Sequence, residues 1–292
     1  KNELSKGDNL IAPRAATELI PVSPRRATEV LVVLTIMVIA MGGMIRIYDA
    51  GESCPDWPTC FGTFGFDISE EEQGEWWEEN PDEADSRGSG HRYTTFEIFT
   101  ERFHILLAGA FVGPLVILNW FLIRTDFQNS PRVRGVSSLT LALILWQGAI
   151  GWLTVKLDNE NWSVAIHLGS ALAFMISLIW LWIEIRRDEE DLPNWISYDP
   201  LVGMKWRKWI GILSFSTLIT LFSGVYVSTT PGANYGCGVS GMLESWPLCN
   251  GQLIQDVDDW ELQSQIVHRW LVVIVGVMMA GSSYKIWKEC EH

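Results

Sequence analysis

Long apolar segments alternate with polar loops along this chain of 292 residues. A helix needs about 20 apolar residues to cross a hydrocarbon core. Six segments are long enough: 27–47, 103–124, 136–156, 163–185, 207–228 and 266–287. The pattern predicts an all-α polytopic membrane helix bundle. Since the first segment is full length and follows polar residues, it is expected to be the insertion signal, with no cleavable signal peptide.

Positively charged residues are distributed unevenly among the loops, although the formal net charge of the chain is −14. The acidic sum argues against a nucleic-acid partner. Of the 21 basic residues, 15 lie on one side of the predicted spans: Lys1, Lys6, Arg14, Arg25, Arg26, Arg124, Arg132, Arg134, Arg186, Arg187, Lys205, Arg207, Lys208, Lys285 and Lys288. Loops rich in Lys and Arg face the cytoplasm. We therefore expect a multi-pass protein of the cell (inner) membrane with a cytoplasmic N-terminus.

Two long loops, 48–102 and 229–265, face the opposite side. The first contains an acidic run from Glu70 to Asp85, which is expected to be a solvated structural decoration. Several tryptophans near span ends are typical of an aromatic belt and not of a binding site. They are Trp57, Trp162, Trp206, Trp209 and Trp270.

Four of the five cysteines lie in these outer loops, one pair in each. They are Cys54 and Cys60 in the first loop and Cys237 and Cys249 in the second, while Cys290 lies inside. Disulfides persist in oxidising compartments, so each pair is predicted to be a disulfide or a redox-active dithiol. A metal site and unpaired thiols are the alternatives, but only His91 offers a nearby imidazole.

Three histidines, His104, His167 and His268, lie near the outer ends of apolar spans. An ionisable side chain inside a membrane is a candidate functional residue. Imidazoles from facing helices of a bundle can hold a heme iron, so His104 and His167 are candidate ligands of one iron. By analogy, His268 is a candidate ligand of a second iron. Polar contacts between helices are the alternative for each histidine.

Motif spacing indicates an internal duplication. Trp-Pro-x-Cys-x-Gly occurs at 57–62 and 246–251, an offset of 189, whereas His104 and His268 are offset by 164. The difference of 25 residues is about the length of the acidic run, which the second loop lacks. This predicts a four-helix repeat plus the first two helices of a second parallel repeat. Two spans and a fourth histidine are then expected to be missing, and the absent initiator Met fits a fragment.

The predicted organisation has four parts. A cytoplasmic tail spans 1–26, and the first four-helix half spans 27–185 and includes the acidic outer loop 48–102. A cytoplasmic linker spans 186–206. The partial second half spans 207–292 and includes the outer loop 229–265.

Several short motifs occur in a specific order between about residue 28 and residue 287. These are Gly42-Gly43-Met44-Ile45-Arg46, Cys54-Pro55-Asp56-Trp57-Pro58-Thr59-Cys60-Phe61-Gly62, Glu101-x-x-His104, Gln147-Gly148-x-x-Gly151-x-Leu153-Thr154-Val155, His167-Leu168, Trp246-Pro247-Leu248-Cys249-Asn250-Gly251 and His268-Arg269. In combination they resemble heme A synthase of the cysteine-containing prokaryotic type. That family is an eight-span protein of two four-helix halves, each with a histidine pair for one heme. Against that pattern, two spans and one histidine of the second heme site are expected to be missing from this chain. Ile105 stands where an arginine commonly follows the first histidine, and this difference is expected to alter a propionate contact.

The resemblance implies an oxidoreductase that converts the C8 methyl group of heme O to the formyl group of heme A, with oxygen derived from water. It implies heme b as cofactor, heme O as substrate and a quinone-type electron acceptor. The implied partners are a heme O synthase and the terminal oxidase assembly machinery, besides membrane lipid. A homo-oligomer is left open. The alternative function is a b-type cytochrome electron carrier that does not modify heme. A transporter is disfavoured because its polar groups would lie near mid-membrane.

Glu101 lies one turn before His104 on the same helix face. The resemblance implies that Glu101 is catalytic in the oxidation of the heme methyl group, and an ion pair with Arg102 or Arg46 is the alternative. Arg46 is a candidate partner of a heme propionate, or it snorkels to the interface.

Two further polar or small-residue features have weaker interpretations. Gly109 and Gly113 form a GxxxG match, which favours close helix packing, with room for a porphyrin face as the alternative. Gln147 is polar within an apolar span and is expected to bond across helices, with no catalytic task assigned to it.

Overall fold

The computed structural model describes residues 23–48, 50–56, 59–83, 87–196, 200–230, 237, 245, 248–253 and 260–290. Within these ranges the regular structure is helical, and six helices are long and apolar enough to cross a membrane. They are Pro24–Ile47, Thr95–Asp126, Pro131–Lys156, Asn161–Asp188, Pro200–Thr229 and Leu262–Cys290. The prediction of an all-α, multi-pass membrane protein is confirmed, and each predicted span lies inside one of these helices.

Helices are numbered here in chain order. They are α1 (Pro24–Ile47), α2 (Glu70–Glu79), α3 (Thr95–Leu106), α4 (Gly113–Asp126), α5 (Pro131–Lys156), α6 (Asn161–Asp188), α7 (Pro200–Thr229) and α8 (Trp260–Cys290). A π-helical segment, Leu107–Val112, joins α3 to α4, so the two form one membrane-spanning rod.

α3 begins at Thr95, well before residue 103, where the predicted second span begins. The Thr94 hydroxyl accepts a hydrogen bond from the Glu97 N–H at 3.3 Å, and the Glu97 carboxylate accepts one from the Thr94 N–H at 2.8 Å. This capping box fixes the helix start. The hydropathy pattern does not predict these first turns as part of the span, because they contain the charged residues Glu97, Glu101 and Arg102. His104 therefore lies well inside a continuous helix.

Four spans close into a ring around a common interior. α1 packs against α3 and α4, α4 against α5, α5 against α6, and α6 against α1. The α3–α4 rod and α6 are thus diagonal partners across the ring. α7 and α8 pack on each other, and α7 also contacts α6 and α1. These neighbours agree with a four-helix half followed by two more helices, while the predicted domain boundaries stay a prediction.

The ring interior combines packed apolar side chains with a few polar bonds. Leu31, Phe174 and Leu178 are almost fully buried in one cluster. Because lipid is as apolar as these side chains, packing and hydrogen bonds between helices carry the association. Asn119 of α4 donates to the Thr28 hydroxyl of α1 at 2.9 Å, and both residues are buried. Such a bond contributes roughly 0.6 kcal/mol.

The π segment has a local cause. Pro114 has no N–H, and its ring would clash with the carbonyl four residues earlier in a regular α-helix. Instead the Gly113 N–H bonds to the carbonyl of Ala108, five residues back, which widens the turn. A Cβ on Gly109 would meet nothing within 4 Å, and one on Gly113 would meet only the Ala108 carbonyl. The interpretation of this glycine pair as a close helix contact is therefore wrong.

The acidic run of the first outer loop forms α2. Ser69 and Glu72 make a capping box, and these hydrogen bonds from Ser69 lower the pKa of Glu72. On the opposite face, Trp77 is buried against Phe61. Buried Gln73 donates to two backbone carbonyls and accepts one backbone N–H. The acidic side chains are exposed as expected, but the expectation of a merely solvated excursion is wrong for the packed face.

Ion pairs connect the start of α1 to the end of α6 and the residues that follow it. Arg25 at the start of α1 bonds to Asp191 at 2.6 Å, and Arg186 bonds to the same carboxylate at 2.9 Å. This fixes the beginning of the predicted linker 186–206 against α1. Residues 197–199 and the tail 1–22 lie outside the described residues.

Candidate functional site

His104 on α3 points its ring at one turn of α1. Its Nδ1 lies 3.0 Å from the carbonyl oxygen of Val38. One turn along α1, an added Cβ on Gly42 would stand 3.4 Å from the His104 Cε1. Since Nδ1 is bonded to an acceptor, it carries the proton, and Nε2 keeps the lone pair that a metal needs.

His268 on α8 repeats this arrangement against α7. Its Nδ1 lies 2.8 Å from the Ser223 hydroxyl, and that hydroxyl donates to the Thr220 carbonyl at 2.7 Å. Because a hydroxyl has one proton, Ser223 accepts from Nδ1, and Nε2 again keeps its lone pair. An added Cβ on Gly224 would stand 2.9 Å from the His268 Cε1.

His167 on α6 has a different polar partner. The Gln147 amide nitrogen of α5 donates to the His167 backbone carbonyl at 3.0 Å and lies 3.2 Å from its Nδ1. The Gln147 carbonyl accepts the Ser170 hydroxyl at 2.6 Å. The cross-helix bond expected of Gln147 is therefore present. An added Cβ on Gly151 would stand 3.1 Å from the His167 Cε1.

The three histidines share one feature that the sequence analysis missed. Each imidazole lies against a glycine of the preceding span: Gly42, Gly151 and Gly224. A side chain at any of these positions would occupy space next to the ring. Two of these glycines stood inside recognised motifs, but their role depends on which helix faces which histidine, and one sequence does not give that pairing.

His104 and His167 belong to the same four-helix ring. They lie on diagonal helices of the ring, His104 on α3 and His167 on α6. Among the described residues, no three His, Cys, Asp or Glu side chains converge as a metal-ion site. Paired imidazoles therefore suit an iron that a porphyrin already holds better than they suit a bare ion.

Glu101 is buried at the outer end of this interior, with 4% of its surface exposed. Its Oε2 accepts a hydrogen bond from the Ser53 hydroxyl at 2.8 Å and another from the Cys54 N–H at 2.8 Å. Both donors belong to the turn that enters the first cysteine loop. The loop therefore fixes the carboxyl group one turn from His104.

The second half repeats this contact with an amide. Gln265 lies three residues before His268, as Glu101 lies before His104, and its Oε1 accepts a hydrogen bond from the Cys237 N–H at 2.9 Å. The two loops also share an isolated bridge, Cys60 with Thr63 and Cys249 with Gln252. The contact between this position and the cysteine loop is thus duplicated, with an acid in the first half and an amide in the second.

Disulfides join Cys54 to Cys60 and Cys237 to Cys249, and Cys290 is an exposed free thiol. All four bonded cysteines are nearly inaccessible to solvent. Within the two Trp-Pro-x-Cys-x-Gly motifs, Trp57, Pro58, Trp246 and Pro247 lie outside the described residues.

Arg46 makes a contact that neither interpretation of the sequence anticipates. It donates to the backbone carbonyl of Ser228 at 2.7 Å and so connects α1 to α7. Arg269, next to His268, similarly donates to the carbonyls of Ser245 and Leu248. These arginines therefore support the outer loops and helix ends.

Comparison of the sequence with known proteins shows which family the chain belongs to. The family described as cytochrome oxidase assembly protein (COX15-CtaA) matches residues 25–292. Heme A synthase of Shouchella clausii is 26% identical over 84% of this chain and 69% of its own length. Heme A synthase of Novosphingobium aromaticivorans is 27% identical over 92% of this chain and 81% of its own length. No solved structure matches. Since the match covers all six spans and both histidine-bearing halves, the chain belongs to the cytochrome oxidase assembly protein family.

Proposed function

We propose that this chain is a heme A synthase, which oxidises the C8 methyl group of heme O to the formyl group of heme A. The relatives that it resembles over most of its length carry that name. The observation that carries the proposal is the contrast between the two halves. The first half holds an acid, Glu101, beside a histidine pair, and the second holds the amide Gln265 in the equivalent place.

In the first half, binding and proton transfer are assigned to different residues. His104 and His167 hold the iron of heme O, and Glu101 takes up a proton or stabilises positive charge that develops at the porphyrin edge. Ser53 and the Cys54 N–H hold the carboxyl group in place. Burial of this carboxyl group excludes bulk water from it.

The second half is proposed to take heme b, with His268 as one iron ligand. Bound heme b supplies a redox centre for electrons that leave the substrate. Ser223 orients His268 through Nδ1, and Gly224 leaves space for the ring. Gln265 cannot exchange a proton in the physiological range, which suits a site that transfers electrons only.

The overall reaction balances with water and a quinone-type acceptor. Each hydroxylation consumes one water and releases two protons and two electrons. After two such steps, the geminal diol loses one water to give the formyl group. Two quinone-type molecules accept the four electrons with four protons.

The chain is proposed to lie in the cell (inner) membrane with its N-terminus in the cytoplasm, as the distribution of Lys and Arg favours. A heme O synthase would supply its substrate, and terminal oxidase assembly would consume its product. The two disulfides are proposed to be structural, because each holds the backbone N–H that bonds to Glu101 or Gln265.

The test is the identity of the heme that co-purifies with this chain after co-expression with a heme O synthase, separated by chromatography with mass detection. Hydroxylated or formyl-bearing heme is expected. Unmodified heme alone would contradict the proposal and favour a b-type electron carrier. The absence of any heme would remove the ligand roles of His104 and His167.

A further inference from the structure

Ser53 is a fully buried hydroxyl with three acceptors in reach. Its Oγ lies 2.8 Å from Glu101 Oε2, 2.9 Å from the Ala50 carbonyl and 3.0 Å from the Glu97 carbonyl. None of its surface is exposed. A hydroxyl has one proton and two lone pairs, so Ser53 donates to only one of these oxygens at a time.

Which of these oxygens accepts the Ser53 proton depends on the protonation state of Glu101. When the carboxylate is ionised, the hydroxyl donates to Oε2. When the carboxyl group is protonated, its O–H donates to Ser53 Oγ, and the Ser53 proton turns to the Ala50 or Glu97 carbonyl. The Cys54 N–H is a fixed donor and cannot reverse in this way.

We infer that Ser53 is a positioning residue for Glu101, whose hydroxyl rotates so that both the protonated and the ionised carboxyl group stay bonded in one place. This role rests on the proposed function, in which Glu101 gains and loses a proton in each step. Glu52 precedes Ser53 in the chain and carries a neighbouring carboxylate.

The second half supports the inference independently. Gln265 takes the place of Glu101 there and has one protonation state. The residue before Cys237, which corresponds to Ser53 before Cys54, is Gly236 and has no hydroxyl. In the sequence, a serine thus precedes the first cysteine where the partner side chain is Glu101, and a glycine precedes it where the partner is Gln265.

The first part of the test needs no turnover. The infrared band of the Glu101 carboxyl group is identified in the purified protein as the band that Glu101→Gln removes. Ser53→Ala is expected to shift this band, whereas Ser53→Thr, which keeps the hydroxyl, leaves it near its original position. The matched control is Ser163→Ala, because Ser163 is equally buried and donates to a backbone carbonyl at 2.8 Å without contacting Glu101. An unshifted band in Ser53→Ala overturns the inference.

The second part measures methyl oxidation with heme content held as a control. Ser53→Ala is expected to lower the rate about tenfold or more, the effect of losing a hydrogen bond to a charged group. Ser53→Thr and Ser163→Ala are expected to stay within about twofold. If Ser53→Ala does not fold, Ser53→Gly copies the second half and takes its place. A shifted band in a protein that never oxidises heme supports the Ser53–Glu101 contact and contradicts the proposed function, so the two failures are distinguishable.

Discussion

Glu101 and Gln265 occupy equivalent places in the two halves, since each accepts a hydrogen bond from the backbone N–H of the first cysteine of a disulfide. The distances are 2.8 Å and 2.9 Å. Each residue also lies three positions before a histidine that faces a glycine on the preceding span. A duplicated scaffold therefore presents an acid at one site and an amide at the other.

Replacing Glu101 with Gln should make the first site resemble the second. The amide oxygen still accepts the Cys54 N–H, so heme content should stay near that of the unchanged protein. Methyl oxidation should fall by about 100-fold or more, because the group that accepts a proton is lost. Heme extraction with mass detection measures both quantities. Glu97→Gln is the control, since Gln also completes a capping box, and equal rates in Glu101→Gln and the unchanged protein would contradict the assignment.

Alanine at the three glycines beside the histidines should reduce heme binding in a graded order. The added Cβ would lie 2.9 Å from His268 at Gly224, 3.1 Å from His167 at Gly151 and 3.4 Å from His104 at Gly42. Contacts below about 3.4 Å displace a packed ring, so Gly224→Ala and Gly151→Ala should lose heme and Gly42→Ala should lose little.

The measurement is the ratio of heme to protein from the Soret absorbance. Gly43→Ala and Gly148→Ala serve as controls, because an added Cβ at either position meets nothing within 4 Å. Equal heme content in all five variants would show that heme binding does not depend on the space that the three glycines leave beside the histidine rings.

Removing the Trp77 side chain from α2 should expose the Cys54–Cys60 disulfide. Trp77 packs with Phe61 over this loop, and both cysteines are fully buried. Trp77→Ala should therefore speed reduction of the disulfide by dithiothreitol, followed by a maleimide gel shift. Trp195→Ala is the control, since Trp195 is highly exposed. An unchanged rate would show that α2 does not protect the disulfide.

Cys290 offers a direct test of membrane orientation. It is the free thiol of the described chain and is exposed at the end of α8. A membrane-impermeant maleimide should label it in inverted membrane vesicles and not in intact cells. Ser89→Cys in the exposed part of the first outer loop should give the opposite pattern. Labelling of Cys290 in intact cells would reverse the proposed orientation.

The six spans were predictable because length and apolarity alone determine a membrane helix. The start of α3 was not, since its first turns are polar and depend on the Thr94 capping box. The choice of His104, His167 and His268 as candidates followed from ionisable groups in apolar segments. Ser53 was not found, because a serine in a loop gives no signal until the fold places it against Glu101.

The same limit explains the interpretations that failed. A GxxxG match predicts close packing only if a neighbouring helix faces it, and Gly109 faces open space. The acidic run looked solvated because six glutamates dominate the α2 sequence, whereas the buried side chains of Trp77 and Gln73 mark the face that packs. In both cases the outcome depends on tertiary neighbours.

The π segment after His104 gives the α3–α4 rod a different helical register from α8 beyond the histidines. A π turn holds one extra residue, which rotates everything beyond it by about 100° relative to an uninterrupted α-helix. α8 is continuous at the corresponding distance after His268. Positions that align between the two helices up to the histidines therefore face different directions after them. The side chains that line the two sites beyond His104 and His268 come from non-equivalent positions, so the two sites can differ in shape.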